Sequence, residues 1–198
     1  MSRFPDARFL VSAAAPAQFP ADVGVEVAFA GRSNSGKSSA INAVTQRRGL
    51  ARVSKTPGRT RLLNFFELAP AKRLVDLPGY GYARTPAAER RDWTPLIEAL
   101  RARASLVGLF LIVDCRRGLT AGDHGLVEWL SPAQRLHVLL SKADKLGRSQ
   151  AARVLGATQA HLGGRATVQL FSALDGTGVR EAQEILAAWL GDKKTPAV

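Results

Sequence analysis

The residues Gly31-Arg32-Ser33-Asn34-Ser35-Gly36-Lys37-Ser38 have the form G-x-x-x-x-G-K-S, and their types suit the capture of a phosphate chain. Glycine lets the backbone bend so that successive N–H groups face one anion. A helix N-terminus behind the loop adds the positive end of its dipole. Lys37 is expected to reach the terminal phosphates, and the Ser38 hydroxyl is expected to ligate Mg²⁺, with Ser39 completing the cradle.

Three further motifs carry compatible chemistry. Asp76-Leu77-Pro78-Gly79 has the form D-x-x-G: Asp76 can hold Mg²⁺ through a water, and the Gly79 N–H can meet a γ-phosphate. In Ser141-Lys142-Ala143-Asp144 the Asp144 carboxylate can accept from the N1–H and exocyclic amine of guanine, a donor pair that adenine lacks. The Lys142 stem can lie along the base. In Phe171-Ser172-Ala173 the Ala173 N–H can donate to the guanine O6. Each motif alone is weak; all of them in this order, each after a strand, point to GTP rather than ATP.

The elements that must position these residues are legible as alternating patterns. The apolar run 23–30 reads as a buried strand and 37–46 as a helix. Residues 61–68 and 72–76 read as two strands that can pair as a hairpin. A helix is expected from Thr85-Pro86 to about residue 104, broken or kinked at Thr94-Pro95. Residues 106–113 form a continuous apolar run, the mark of a strand buried on both faces of a parallel sheet. Helices are expected at 123–130, 149–162 and 179–190, and strands at 136–140 and 167–171. Strands alternating with helices give an α/β fold whose ligands bind beyond the carboxyl ends of the strands. Residues 1–21 read as an N-terminal arm with a short strand around Phe9–Ser12, residues 22–191 as one domain, and residues 192–198 as a disordered tail.

Composition narrows the partners. The chain of 198 residues carries 28 Lys and Arg against 16 Asp and Glu, a net charge of +12, which favours a polyanion over an inert basic surface. The stretch 47–60 lacks apolar periodicity, holds Gly49, Pro57 and Gly58, and carries Arg47, Arg48, Arg52, Lys55 and Arg59. Loops of that length in compact domains are usually functional. The one cysteine, Cys115, excludes an internal disulfide and fits a reducing compartment. No apolar run reaches membrane-spanning length, and the N-terminus, interrupted by Asp6, Ser12 and Pro16, does not read as a signal peptide, so a cytoplasmic monomer is expected. His124, His137 and His161 show no metal-ligand spacing, and Trp93, Trp129 and Trp189 fall on helical patterns as packing residues.

The residues 26–34, Thr56-Pro57-Gly58-Arg59-Thr60, Asn64-Phe65-Phe66, Asp76-Leu77-Pro78-Gly79-Tyr80-Gly81-Tyr82-Ala83 and Lys142-Ala143-Asp144-Lys145-Leu146 together resemble the EngB (YihA/YsxC) family of bacterial translation-factor-class GTPases. The resemblance covers about residues 9–190. It implies a P-loop NTPase of the Ras-like G-domain type: a mostly parallel six-stranded sheet with one antiparallel edge strand and helices on both faces. It implies GTP and GDP as ligands, Mg²⁺ held by Ser38, Thr60 and Asp76, and a catalytic set of Lys37, Thr60 and Gly79. Gly58, Arg59 and Thr60 would form the mobile switch, with Thr60 as the second Mg²⁺ ligand. It also implies a role in assembling the large ribosomal subunit, with ribosomal RNA as partner, and in normal cell division and septation. Ser141 departs from the Thr or Asn usual at that place but keeps a hydroxyl.

Many GTPases place Gln directly after D-x-x-G to orient the attacking water. Tyr80 stands there, so intrinsic hydrolysis is expected to be slow. Asn34 fits two roles, a K⁺ ligand that substitutes for an arginine finger or a residue that tolerates the turn. Arg59, Arg61 and Arg84 are finger candidates or RNA contacts. Two other classes stay open at the level of sequence: a GTP-dependent interaction protein for a division or envelope partner, and an ATP-using small-molecule kinase, against which Asp144 argues.

Overall fold

The computed structural model describes residues 3–52, 62–81 and 95–191. The expectations for Gly58, Arg59, Thr60, Arg61, Arg84, Trp93 and the tail fall outside the described residues. A seven-stranded sheet runs through the molecule in the order β1-β3-β4-β2-β5-β6-β7. Its strands are β1 (Arg8–Ala13), β2 (Val25–Gly31), β3 (Leu63–Ala69), β4 (Lys72–Asp76), β5 (Leu106–Asp114), β6 (Arg135–Ser141) and β7 (Thr167–Leu170). The helices are α1 (Lys37–Thr45), α2 with its described part at 95–101, α3 (Ala121–Trp129), α4 (Arg148–Leu162) and α5 (Val179–Gly191).

The sheet is mostly parallel, as expected, and among the described residues holds seven strands where six are expected. The difference is β1: the short strand foreseen in the N-terminal arm is a full member, antiparallel to β3 with a bulge between Phe9 and Val11. The antiparallel strand is β3, paired with β4 in the expected hairpin, and β1 lies outside it at the edge. From β2 the chain builds first toward β4 and β3 and then, through β5, β6 and β7, toward the other edge. The strand order therefore reverses beside β2, and the crevice at such a reversal is where open α/β sheets bind ligands.

Two apolar layers hold the helices on the sheet. Ala28, Ala30, Leu109, Leu111 and Val113 face Leu96, Ile97 and Leu100 of α2, Leu126 of α3 and Leu162 of α4. Val27, Phe29, Phe110 and Ile112 face Ala40, Ile41 and Val44 of α1 and Ala182, Leu186 and Trp189 of α5. Every residue of β5 is buried, as a central parallel strand requires. Phe29 stacks on Phe110 at 4.8 Å, and Trp189 closes on Phe110 at 5.0 Å, so Trp189 is the packing residue its pattern suggests. Opposite the site, the buried Glu26 carboxylate accepts from both Arg73 (2.7 Å) and Arg103 (2.6 Å), which removes an uncompensated charge from the core.

Element ends differ from the sequence reading for local reasons. β2 begins at Val25 because Gly24 takes φ +82° and lies so close to Ala71 that a Cβ would stand 2.0 Å from its carbonyl oxygen. α3 begins two residues early because Thr120 and Asp123 form a capping box.

Candidate functional site

β2 delivers the chain to the cradle at Gly31, and α1 starts at Lys37. Gly36 caps the helix at φ +97°, where a side chain is strained, and a Cβ on Gly31 would stand 2.6 Å from the Ile112 oxygen. Asn34 adopts φ +66° and is exposed, a conformation asparagine tolerates better than most residues. Ser35 is buried, Ser38 half-buried and Ser39 exposed in the first turn of α1.

The Lys37 ammonium donates to the Asp76 carboxylate at the end of β4. Burial pushes the Asp76 carboxyl above its ordinary value, while the Lys37 charge and a hydrogen bond from Asn64 act against that. Asn64 faces Asp76 across the hairpin, and Ser12 of β1 donates to Asn64 Oδ1 at 2.6 Å. A polar ladder thus runs from the edge strand to the lysine of the cradle. The loop 76–79 lies against the cradle: the Ser33 hydroxyl donates to the Gly79 carbonyl at 3.3 Å, and a Cβ on Gly79 would meet Ser33 atoms at 3.1–3.4 Å. Leu77 is buried and Pro78 half-buried.

The second half of the site is built at the ends of β6 and β7. Ala143 N–H donates to the Phe171 carbonyl at 3.1 Å and joins the motif after β6 to the motif after β7. The Ser172 hydroxyl donates to Asp144 Oδ1 at 2.7 Å, and Lys145 lies 3.1 Å from its other oxygen. These contacts, the serine first, hold the Asp144 carboxyl below its ordinary value, so it is an acceptor-only anion. Phe171 is buried beneath the motif, and Ala173 is exposed beyond it.

Ser141 and Lys142 join the halves. The Ser141 hydroxyl bonds the Ser35 carbonyl at 2.5 Å and the Val113 carbonyl at 3.1 Å. The hydroxyl that serine retains is thus the atom that ties the cradle to β6. Lys142 takes φ +60°, and its ammonium donates to the Asn34 carbonyl (2.6 Å) and to Asp114 (2.9 Å). Arg116 first, then Lys142, hold the Asp114 carboxyl well below the usual carboxylate range.

All the expected site residues among the described ones gather at the carboxyl ends of β2, β4, β6 and β7. Sequence reasoning missed Asp114, Asn64 and Asp123. Asp114 had a signal, an acidic residue ending an apolar strand on the same edge as the other motifs. Asn64 and Asp123 had none beyond their polarity, since their roles depend on cross-strand register and on the approach of Tyr80.

A family model described as "50S ribosome-binding GTPase" matches residues 26–142. The chain is 50% identical over 196 residues to the protein named "Probable GTP-binding protein EngB" of Azoarcus sp., covering 96% of this chain and 94% of that one. It is 44% identical to the protein of the same name from Coxiella burnetii, covering 96% and 95%. Among solved structures, a crystal structure of a "probable GTP-binding protein engB" superposes with TM-score 0.68 at 21% identity over 85% of this chain and 100% of that one. Aquifex aeolicus Era bound to GDP and AlF₄⁻ gives TM-score 0.65 at 18% identity over 89% and 60%, a likeness of fold. The glycine loop, the motifs at the strand ends, the sheet order and the relatives agree: the chain belongs to the 50S ribosome-binding GTPase family and, within it, to the EngB proteins.

Proposed function

We propose that this chain is a guanine-nucleotide switch that binds GTP and GDP, hydrolyses GTP slowly, and acts in assembly of the large ribosomal subunit, with the consequence for cell division and septation that the family resemblance implies. The observation that carries the reading is the joining of the two half-sites: Ser141 and Lys142 bond the phosphate cradle to the strand that presents Asp144. A phosphate site and a base acceptor held in one rigid frame measure out one nucleotide.

In this reading residues 31–39 wrap the phosphates with backbone N–H groups. Lys37 exchanges Asp76 for the β- and γ-oxygens, Gly79 N–H meets the γ-phosphate, and Asp144 with Lys142 and Ala173 reads guanine. The Ser38 hydroxyl and, through a water, the Asp76 carboxylate, hard oxygen donors on facing elements, suit Mg²⁺, with Thr60 as the second direct protein ligand. When bound, Mg²⁺ neutralises charge on the β- and γ-phosphate oxygens. The residue after Gly79 has its side chain buried, with its hydroxyl on Asp123, so this chain offers no side chain there to orient water. Asn34 serves either as a K⁺ ligand or only as a turn residue, and the rate ratio in K⁺ and Na⁺ decides. The nucleotide-binding unit spans 22–191, and the protein works as a cytoplasmic monomer. Among the described residues no helix is long and apolar enough to cross a membrane.

The test is displacement of a fluorescent GDP by unlabelled nucleotides, with hydrolysis followed in parallel. GTP and GDP should displace it, and ATP should need at least about a hundredfold more. Hydrolysis should stay far below about 1 s⁻¹ without a partner. Equal displacement by ATP would overturn the base reading; equal rates in K⁺ and Na⁺ would assign Asn34 to the turn alone.

A further inference from the structure

Tyr80 directly follows Gly79 and is only 7% exposed. Its hydroxyl donates to Asp123 Oδ1 in the first turn of α3. Asp123 is 2% exposed, and its other oxygen accepts from the Thr120 N–H (2.7 Å) and hydroxyl (2.6 Å). One carboxylate therefore caps α3 and holds Tyr80. Gly122 makes the seat: a Cβ there would stand 2.9 Å from the Tyr80 ring. The backbone is fixed as well, because the Tyr80 carbonyl accepts from the Ser33 N–H at 2.8 Å. Burial first, then the Asp123 charge, push the Tyr80 hydroxyl well above its ordinary value, so it remains a donor.

We propose that Tyr80 is a positioning residue for the γ-phosphate contact: its bond to Asp123 sets the place of the Gly79 N–H and couples movement of Gly79 to the start of α3. The inference rests on the nucleotide reading above and deepens it. The physical reason is that both partners are buried. A shift of Gly79 by an ångström would carry Tyr80 with it, and parting the pair would leave a buried carboxylate short of a donor. Loop and helix start therefore move together or not at all. α3 becomes the element on which the presence of the γ-phosphate is read.

The experiment compares wild type with Tyr80→Phe, which removes the hydroxyl and keeps the ring, and with Asp123→Asn. Affinities for GDP and for a non-hydrolysable GTP analogue are measured by calorimetry on the full chain. The variants should bind GDP within about twofold of wild type and the analogue about five- to tenfold more weakly, as expected for a lost charge-assisted hydrogen bond felt only with the γ-phosphate. Equal weakening of both nucleotides, or no change in either, overturns the proposal. Failure of wild type to bind the analogue is a separate result that overturns the nucleotide reading itself. Should the variants not fold, ring-labelled tyrosine in the wild type decides, with the Tyr80 signal assigned through Tyr82→Phe. A signal that moves between the GDP and analogue complexes supports the proposal, and one that stays in place overturns it.

Discussion

In the proposed function, base choice turns on Asp144. Its carboxylate is oriented by Ser172 and flanked by Lys145. Asp144→Asn replaces one acceptor oxygen with a donor and should lower affinity for GTP at least about thirtyfold, since hydrogen bonds to a charged group are the strong ones. The same change should improve binding of xanthosine triphosphate, whose 2-carbonyl accepts where guanine donates; competition against fluorescent GDP reads both. The folded value of this carboxyl lies below the usual 3.8, so the charged form persists as pH falls toward that value. Guanine selectivity should therefore be flat from pH 7 down to pH 5, and a loss of GTP-over-ATP preference within that range would contradict the assignment. The place of this residue at the end of β6 is legible in sequence, because it follows a buried apolar run. Its orientation by the Ser172 hydroxyl is not, because the two stand in separate motifs that meet only when β6 and β7 pair.

At the scale of elements, the sheet was read from apolar runs that admit one placement. The central strands carry no polar side to choose between, as all nine residues of β5 show. β1 was legible only as a suggestion, because Phe9 and Leu10 are exposed at an edge and its bulge breaks the alternation. The ladder Ser12, Asn64, Asp76 was invisible for the same reason, since it exists only through the registers of β1 with β3 and of β3 with β4. The β6–β7 pair supplies a pH test. His137 is buried with Nδ1 2.6 Å from Thr167 Oγ1 and Nε2 2.8 Å from Gln169 Oε1, and Gln169 Nε2 donates to Gly178, which fixes the amide oxygen toward the ring. Nε2 thus donates to the Gln169 oxygen, while Nδ1 faces the Thr167 hydroxyl. Burial lowers the folded value of the His137 ring below the ordinary 6.5, so its contribution to stability is present above 6.5 and is lost as pH falls through the folded value. Protection factors of the amides in residues 135–141 and 167–170, corrected for the intrinsic pH dependence of exchange, should fall between pH 7 and pH 5 more in wild type than in His137→Gln.

The whole molecule carries +12 charge, and the described arginines are unevenly used. Arg73 and Arg103 are committed to Glu26 in the core, whereas Arg48, Arg52 and Arg117 are exposed. Arg47 and Arg48 follow α1 at the end of the sheet away from the cradle, with Arg47 Nε on the Ala7 carbonyl. Arg47 and Arg48 thus lie far from the cradle, whereas the start of β3, where Asn64 pairs with Asp76, lies beside it. A nucleotide state that changed how the exposed arginines meet a polyanion would give nucleotide-dependent, salt-sensitive RNA binding, as the proposed function requires. The charge was plain in the sequence, but its division between core ion pairs and exposed arginines needed the fold. The central claim is tested most directly by co-sedimentation with purified large ribosomal subunits, comparing a non-hydrolysable GTP analogue with GDP at rising salt. The account predicts binding in the analogue state that falls about tenfold or more between 50 and 200 mM salt, with little binding in the GDP state. Absence of binding in both states, with tight GTP binding confirmed on the same preparation, would contradict it.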